Sequence, residues 1–262
     1  MDITNATALV TGANRGLGRE LVQQLLAAGA RKVYATARDV AALQDLVLAH
    51  PGRVEVVALD ITRAEQIEAA RVRCPDVNLL VNNAGINRGQ GFIAAASMDD
   101  AHAEMTTNYL GTLAMCRAFA PQLGGVGGVG GAGGVGGVGG SSGGGGAIVN
   151  VLSILAKVTL PAMGSLCAAK AAGLRMTEGV RAELAARGTL VVAVMTGAVD
   201  TDMSRDFQGP KSSPAEVAQA VLAALARGDE EVYVGDMPGW INAALAQDPK
   251  GIERELAKYL PG

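Results

Sequence analysis

Histidine and cysteine are scarce in this sequence of 262 residues, and there is no excess of positive charge. It has two histidines and three cysteines, so no cluster of metal ligands is visible. Its formal net charge of -3 gives no electrostatic reason to bind nucleic acid or an anionic membrane. We therefore expect no metal site and no nucleic-acid or membrane partner.

Long apolar runs are missing as well, because no stretch reaches the roughly 18 residues that a membrane-spanning helix needs. The first residues, Met1 to Thr4, lack the basic and then apolar pattern of a secretion signal. The cysteines Cys74, Cys116 and Cys167 are scattered and odd in number, which favours reduced thiols over disulfides. These features predict a cytoplasmic protein.

Alanine, valine, leucine and glycine are abundant, and aromatic residues make up only 3%, so we expect an aliphatic core. Short apolar runs typical of strands alternate with stretches of helical periodicity. The predicted strands are 6–10, 32–37, 54–59, 79–82, 147–152, 190–195 and 231–234, and the predicted helices are 19–28, 40–49, 63–73, 99–120, 163–186 and 215–226. This alternation predicts an α/β protein with a doubly wound parallel sheet, a Rossmann fold, in a single domain. Ligands of such sheets bind at the carboxyl ends of the strands.

A glycine-rich segment from residue 124 to residue 146 interrupts the alternation with repeated Gly-Gly-Val triplets. Glycine at this density loses much entropy on ordering, which favours a flexible loop. The segment enters the strand that starts at residue 147 from its amino end, opposite the expected ligand cleft. We predict a flexible insertion rather than a lid; a contact surface for a partner is the alternative.

The segment from Thr11 to Gly18 reads Thr-Gly-Ala-Asn-Arg-Gly-Leu-Gly and lies between the first predicted strand and the first predicted helix. At such a turn, Gly12, Gly16 and Gly18 allow a tight bend, a close approach to a pyrophosphate and packing of helix on strand. The free N–H groups at the helix start then face the phosphates. The segment predicts a dinucleotide site, with an ordinary glycine-containing loop as the alternative.

Further motifs follow the glycine turn in order. The pieces are Thr11–Gly18, Asp60, Asn82-Asn83-Ala84-Gly85, Asn108, Ser153, Lys170 and Gly197–Met203. Together they resemble the short-chain dehydrogenase/reductase family. Each piece is common alone, but the ordered set with these spacings is specific, and it covers nearly the whole chain outside the glycine-rich segment. The resemblance implies an oxidoreductase that uses a nicotinamide dinucleotide on a small-molecule substrate, usually as a homodimer or homotetramer.

The choice of cofactor follows from charge. Proteins that prefer NAD usually have an acidic residue at the end of the second strand, bonded to the ribose 2′-hydroxyl. This sequence has Arg38 there, and Arg15 and Arg38 could flank a 2′-phosphate, for which guanidinium groups are well suited. Solvated surface charge is the alternative, but the resemblance also points to NADP(H).

The resemblance assigns the other cofactor contacts. Asp60 and the backbone of Ile61 would hold the adenine, and Val199 and Thr201 would hold the nicotinamide amide. The predicted cofactor-binding residues are Gly12, Asn14, Arg15, Gly16, Leu17, Gly18, Arg38, Asp60, Ile61, Asn83, Ala84, Gly85, Lys170, Val199 and Thr201.

The sequence departs from the family at the catalytic tyrosine. The family pattern is Tyr-x-x-x-Lys on one helix, where the ammonium lowers the phenol pKa and the phenol protonates the carbonyl oxygen. Lys170 is present, but Leu166 stands four residues before it and has no proton to give. Cys167 is turned about 100° away on a helix. The four tyrosines, Tyr34, Tyr109, Tyr233 and Tyr259, are not placed to substitute.

The resemblance leaves Ser153, Lys170 and Asn108 as predicted catalytic residues. Ser153 would donate to the substrate oxygen, Lys170 would bond the nicotinamide ribose, and Asn108 would hold a water beside Lys170. Each has a structural alternative: Ser153 could be a capping or strand-end hydroxyl, Lys170 a solvated lysine of the helix, and Asn108 a polar helix contact.

These residues predict an NADPH-dependent ketoreductase acting on a bulky or aromatic carbonyl, with the proton coming from water or from the substrate itself. Losing one general acid costs about 10²–10⁴ in rate, so the reaction remains feasible. Reduction of an imine or a polarised C=C bond is a further possibility. The alternatives are an NADP(H)-binding sensor or scaffold without redox activity, and a lyase or isomerase that reuses the pocket.

Overall fold

A single parallel sheet forms the centre of the molecule. The computed structural model describes residues 1–124 and 145–261, and within them seven strands pair in the order β3-β2-β1-β4-β5-β6-β7. The strands are β1 (Thr7–Val10), β2 (Lys32–Ala37), β3 (Val54–Ala58), β4 (Leu79–Asn82), β5 (Ala147–Val151), β6 (Leu190–Thr196) and β7 (Glu231–Val234). All pairs are parallel, which explains the near-continuous apolar strands.

Helices cover both faces of the sheet. They are α1 (Gly16–Ala27), α2 (Gln44–Ala49), α3 (Ala64–Arg73), α4 (Asp99–Glu104), α5 (Thr112–Phe119), α6 (Gly164–Leu184), α7 (Pro214–Arg227), α8 (Asp236–Leu245) and α9 (Pro249–Leu256). A π-helix, Met105–Gly111, joins α4 to α5, so the long helix predicted over 99–120 has a wider turn at its centre. The predicted single-domain Rossmann fold is confirmed. Helices α8 and α9 were not predicted.

Two aliphatic cores lie on opposite faces of the sheet. On one face α1 packs against α7, with Leu21 and Val221 fully buried. On the other face α3 packs against α5, with Met115 and Phe119 fully buried. Within the described parts of the chain, no helix has the length and apolar character to cross a membrane.

The glycine-rich segment follows a short helix after α5, and its two ends meet at the amino end of β5. Gly146 N donates to Leu123 O at 2.8 Å, and Ala147 N donates to Asn78 O at 2.9 Å. Residues 125–144 lie outside the described residues, so the predicted flexible insertion stays a prediction. The described residues at its two ends lie at the amino ends of the strands, opposite their carboxyl ends.

Candidate active site

The glycine loop between β1 and α1 lies at the point where the strand order reverses, between β1 and β4. Gly12 and Gly16 have φ angles of 66° and 53°, which side chains other than glycine rarely adopt. A Cβ on Gly18 would lie 2.2 Å from Gly12 O. Arg15 is the residue before α1, and its side chain makes no hydrogen bond to the helix. The first N–H groups of α1 therefore have no capping side chain. This cradle fits the pyrophosphate of a dinucleotide.

Polar contacts tie the cradle to the end of β4. The Asn83 side-chain amide donates to Thr11 O at 2.9 Å and to Gly12 O at 3.2 Å. In return, the Thr11 hydroxyl accepts from Asn83 N at 2.9 Å and from Ala84 N at 3.0 Å. The Asn83 side chain therefore shapes the cradle, whereas the turn of Ala84 and Gly85 lies beside it. Thr11 was not predicted as a site residue, although it lies inside the glycine motif.

Arg38 and Asp60 lie near each other after β2 and β3. Arg38 is exposed. Burial acts to raise the pKa of Asp60, but hydrogen bonds from Thr62 and the charge of Arg38 outweigh it, so the pKa is lowered. Asp60 Oδ1 accepts from Thr62 N at 2.9 Å and from the Thr62 hydroxyl at 2.7 Å. The Asp60 carboxylate thus holds the turn that follows it. The next residue, Ile61, is buried in the core.

The loop after β6 rests on the glycine loop. A Cβ on Gly16 would lie 3.0 Å from the Thr201 methyl group, and Arg15 forms an ion pair with Asp202. Val199 O accepts from the Ser204 hydroxyl, which closes the loop on itself. The structure therefore brings Thr201 and Arg15, which lie far apart in sequence, to the same place.

Ser153 and Lys170 are both fixed at the carboxyl end of β5. The Ser153 hydroxyl donates to Thr196 O at 3.1 Å and accepts from Leu155 N at 3.2 Å. Lys170 Nζ donates to Val151 O at 3.0 Å. Burial lowers the pKa of Lys170 to about 8. Two of the three predicted catalytic residues thus share one end of one strand.

Asn108 lies on the π-helix and binds the turn after β4. Its Oδ1 accepts from Ile86 N at 2.8 Å, and its Nδ2 donates to Ile86 O at 2.9 Å. The side chain is therefore occupied by the backbone of Ile86. The main-chain oxygen of Asn108 accepts from the Thr112 hydroxyl at 3.1 Å.

Leu166 is buried, at 7% exposure, one helical turn before Lys170 on α6. The next residue does not replace the missing acid, since Cys167 Sγ accepts from Leu160 N at 3.3 Å and burial raises its pKa. The hydroxyl of Tyr34 donates to Asp76, and that of Tyr233 donates to Glu231, both away from α6.

Tyr259 lies near the end of the chain and was not predicted to replace the acid; the structure brings its backbone back to the start of α6. Tyr259 O accepts from Ala162 N at 3.1 Å, and Pro261 lies against Gly91. The C-terminal tail therefore forms part of the rim of the candidate site. Tyr259 is 57% exposed.

Glu104 is a buried acid that the sequence analysis missed. It is fully buried, its Oε1 accepts from Arg88 N at 2.7 Å, and its Oε2 accepts from the Ser165 hydroxyl. It thereby joins the turn after β4 to the residue before Leu166. An acid four residues before Asn108 was the available signal, because that spacing places both on one helix face.

Comparison with known proteins agrees with this geometry. The family model described as short chain dehydrogenase matches residues 6–211. A solved short-chain dehydrogenase from Burkholderia cenocepacia J2315, in complex with NADP, is 47% identical with a TM-score of 0.86, covering 98% of this chain and 99% of its own. The 3-oxoacyl-[acyl-carrier-protein] reductase of Vibrio harveyi is 28% identical, over 85% of this chain and 90% of that protein. The 1-deoxy-11-beta-hydroxypentalenate dehydrogenase of Streptomyces avermitilis is 29% identical, over 89% of this chain and 85% of that protein.

Proposed function

This chain belongs to the short-chain dehydrogenase family, and we propose that it is an NADPH-dependent ketoreductase that works without the usual tyrosine acid. The observation that carries the proposal is the glycine cradle facing Ser153 and Lys170 across the carboxyl ends of β1, β4 and β5. The relatives named above support an oxidoreductase.

NADP(H) is the cofactor that fits the residues present. The cradle can keep its shape only because Gly18 has no side chain, and the arginines Arg15 and Arg38 offer positive charge for a 2′-phosphate. Two solved relatives in complex with NADP, both from Burkholderia cenocepacia J2315 and 47% and 26% identical, support this assignment. The cofactor would supply the hydride that reduces the carbonyl carbon.

The chain's own residues would bind and orient the carbonyl. The Ser153 hydroxyl, held between Thr196 and Leu155, is placed to turn and donate to the substrate oxygen. Lys170 would bond the nicotinamide ribose and place a positive charge near that oxygen. The proton would come from a water held by these groups and Asn108, or from an acidic group of the substrate itself.

Apolar side chains at this end of the sheet favour a bulky or aromatic substrate. Leu166 replaces a polar phenol inside the site. Met203 and Phe207 are exposed on the loop after β6, and Met237 of α8 lies against Gly197. A pocket lined in this way favours large apolar groups around the carbonyl.

The first experiment is a titration of the purified protein with NADPH and NADH, followed by nicotinamide absorbance with a panel of aryl ketones. We expect tighter binding of NADPH and a loss of absorbance with at least one ketone. A clear preference for NADH would remove the cofactor assignment. NADPH binding without reduction of any carbonyl, imine or enone would favour the second candidate.

That second candidate is an NADP(H)-binding protein without redox activity, such as a sensor or scaffold, and Leu166 is the observation that favours it. Reduction of an imine, which is already protonated, or of a polarised C=C bond is a further candidate reaction for the same site. A lyase or isomerase would form product without consuming cofactor. A homodimer or homotetramer in the cytoplasm remains our expectation for the assembly.

A further inference from the structure

We propose that the ammonium group of Lys170 is the general acid of this enzyme, giving its proton to the substrate oxygen directly or through one water. This inference rests on the proposed ketoreductase function and names the group that replaces the absent phenol.

The position of Lys170 supports this role. Lys170 lies one turn after Leu166 on α6, so the two side chains share a helix face. Its Nζ is held 3.0 Å from Val151 O, two residues before Ser153. An ammonium group has three N–H donors, and Val151 takes one. Two donors remain for the cofactor ribose and for the substrate oxygen or its water.

No carboxylate holds the proton on Lys170 by charge. Within the described residues, no acidic oxygen lies within salt-bridge distance of Nζ. Charged groups on the surrounding elements are engaged elsewhere: Glu104 of α4 binds Ser165 and Arg88, and Lys157 binds Glu231. Asp200, in the loop after β6, pairs with Lys211 at 3.8 Å. On the π-helix and α5, the ionisable side chains are Tyr109, Cys116 and Arg117.

Burial without a counter-charge disfavours the ammonium form, and the pKa of Lys170 falls to about 8. An acid with a pKa close to the working pH both holds a proton and releases it readily. A lysine with the ordinary pKa of about 10.4 would release it much less readily.

The step balances within the site. The carbonyl oxygen, whose carbon receives the hydride, forms an O–H bond as one N–H bond of Lys170 breaks. The electron pair of that bond stays on nitrogen, which becomes a neutral amine. Solvent returns a proton to the amine before the next turnover.

The variant Lys170→Arg tests the role, because arginine keeps the positive charge and the donors but does not give up its proton. We expect NADPH affinity, measured by fluorescence titration, to stay within about threefold, and turnover to fall at least ~100-fold. In the double variant Leu166→Tyr with Lys170→Arg, the phenol supplies the proton, and we expect at least tenfold recovery. Turnover of Lys170→Arg within threefold of wild type, or no recovery in the double variant, would overturn the proposal.

A second measurement needs neither cofactor nor turnover. Cofactor-free protein is labelled with acetic anhydride across a range of pH, and acetylation at Lys170 is read by mass spectrometry against a model lysine amide. We expect half-maximal labelling near pH 8 and, in the wild-type enzyme, turnover that declines as pH rises through the same value. Half-maximal labelling only above about pH 10 would overturn the proposal. The ketoreductase function itself fails instead if the wild-type protein does not consume NADPH.

Discussion

Arg15 of the glycine loop forms an ion pair with Asp202 of the loop after β6. Asp202 also binds Arg205 at 2.6 Å, and these contacts hold its pKa below the ordinary value. The arginine that we assign to the 2′-phosphate of NADP(H) is therefore paired with a carboxylate. A bound 2′-phosphate and Asp202 would compete for the same guanidinium group.

Removing this competitor should favour NADPH selectively. For Asp202→Asn we expect NADPH affinity to rise about two- to fivefold, the modest range of exposed ion pairs. NADH lacks the 2′-phosphate, so its affinity should not change. Fluorescence titration of both cofactors measures the effect. Asp206→Asn is the matched control, since Asp206 is exposed in the same loop and makes no ion pair within the described residues. An equal gain for both cofactors would speak against competition at Arg15.

A methyl group at Gly18 should abolish the cradle. In Gly18→Ala the added carbon would lie 2.2 Å from Gly12 O and 2.5 Å from Asn83 Nδ2, so the loop must move. We expect loss of detectable NADPH binding and a destabilisation of roughly 1–3 kcal/mol.

Gly179→Ala is the control for that change. Gly179 lies in the interior of α6 with nothing within 4 Å of the added carbon. There the substitution should stabilise the protein by roughly 0.5–1 kcal/mol and leave binding unchanged. Thermal unfolding and NADPH titration of both variants check the pair. Wild-type binding by Gly18→Ala would refute the assigned cradle.

Local sequence patterns were sufficient to predict the sheet and the cradle. Each depends on residues close in sequence: apolar runs for the strands, and Gly12, Gly16 and Gly18 for the turn. The order of Ser153, Leu166 and Lys170 along the chain also carries the prediction that the tyrosine acid is absent, and this stays a prediction. These features were predictable because their physical causes lie within one strand, one turn or one helix.

The contacts that were missed join distant parts of the chain. Arg15 and Asp202 are 187 residues apart, and Glu104 and Ser165 are 61 residues apart. Nothing in the periodicity of residues 99–120 indicates the wider turn of the π-helix, which is a backbone feature. The return of Tyr259 to α6 depends on how α8 and α9 fold, and neither helix was predicted. The sequence alone could not bring these residues together.

Glu104 should act as a positioning residue that holds the turn after β4 against α6. Glu104→Ala leaves the buried Ser165 hydroxyl without its partner, at a cost of about 1–3 kcal/mol, and the Arg88 N–H also loses its acceptor. We expect a lower melting temperature and a raised KM, with NADPH affinity close to that of wild type.

Glu104→Gln distinguishes this role from a role of the charge. The amide oxygen can still accept from Arg88 N, and the Ser165 hydroxyl can rotate to accept from the amide N–H. We therefore expect Gln to bring KM most of the way back to the wild-type value. If the Gln and Ala variants behave alike in thermal unfolding and steady-state kinetics, the charge and not the hydrogen-bonding framework is what matters.

Leu166→Tyr should restore the missing acid. The new phenol would lie one turn before Lys170, whose positive charge lowers the phenol pKa. With a small unactivated ketone we expect turnover to rise about tenfold, less than the roughly 10²–10⁴ that a general acid contributes where none is present, because the Lys170 ammonium already gives a proton. Leu166→Phe is the matched control, because it adds a ring of similar size without the hydroxyl, so its turnover should stay near that of wild type. Turnover with NADPH in excess measures both. Equal rates for Tyr and Phe would mean that the phenol gives no proton here, and that Leu166 shapes the pocket instead of marking a lost acid.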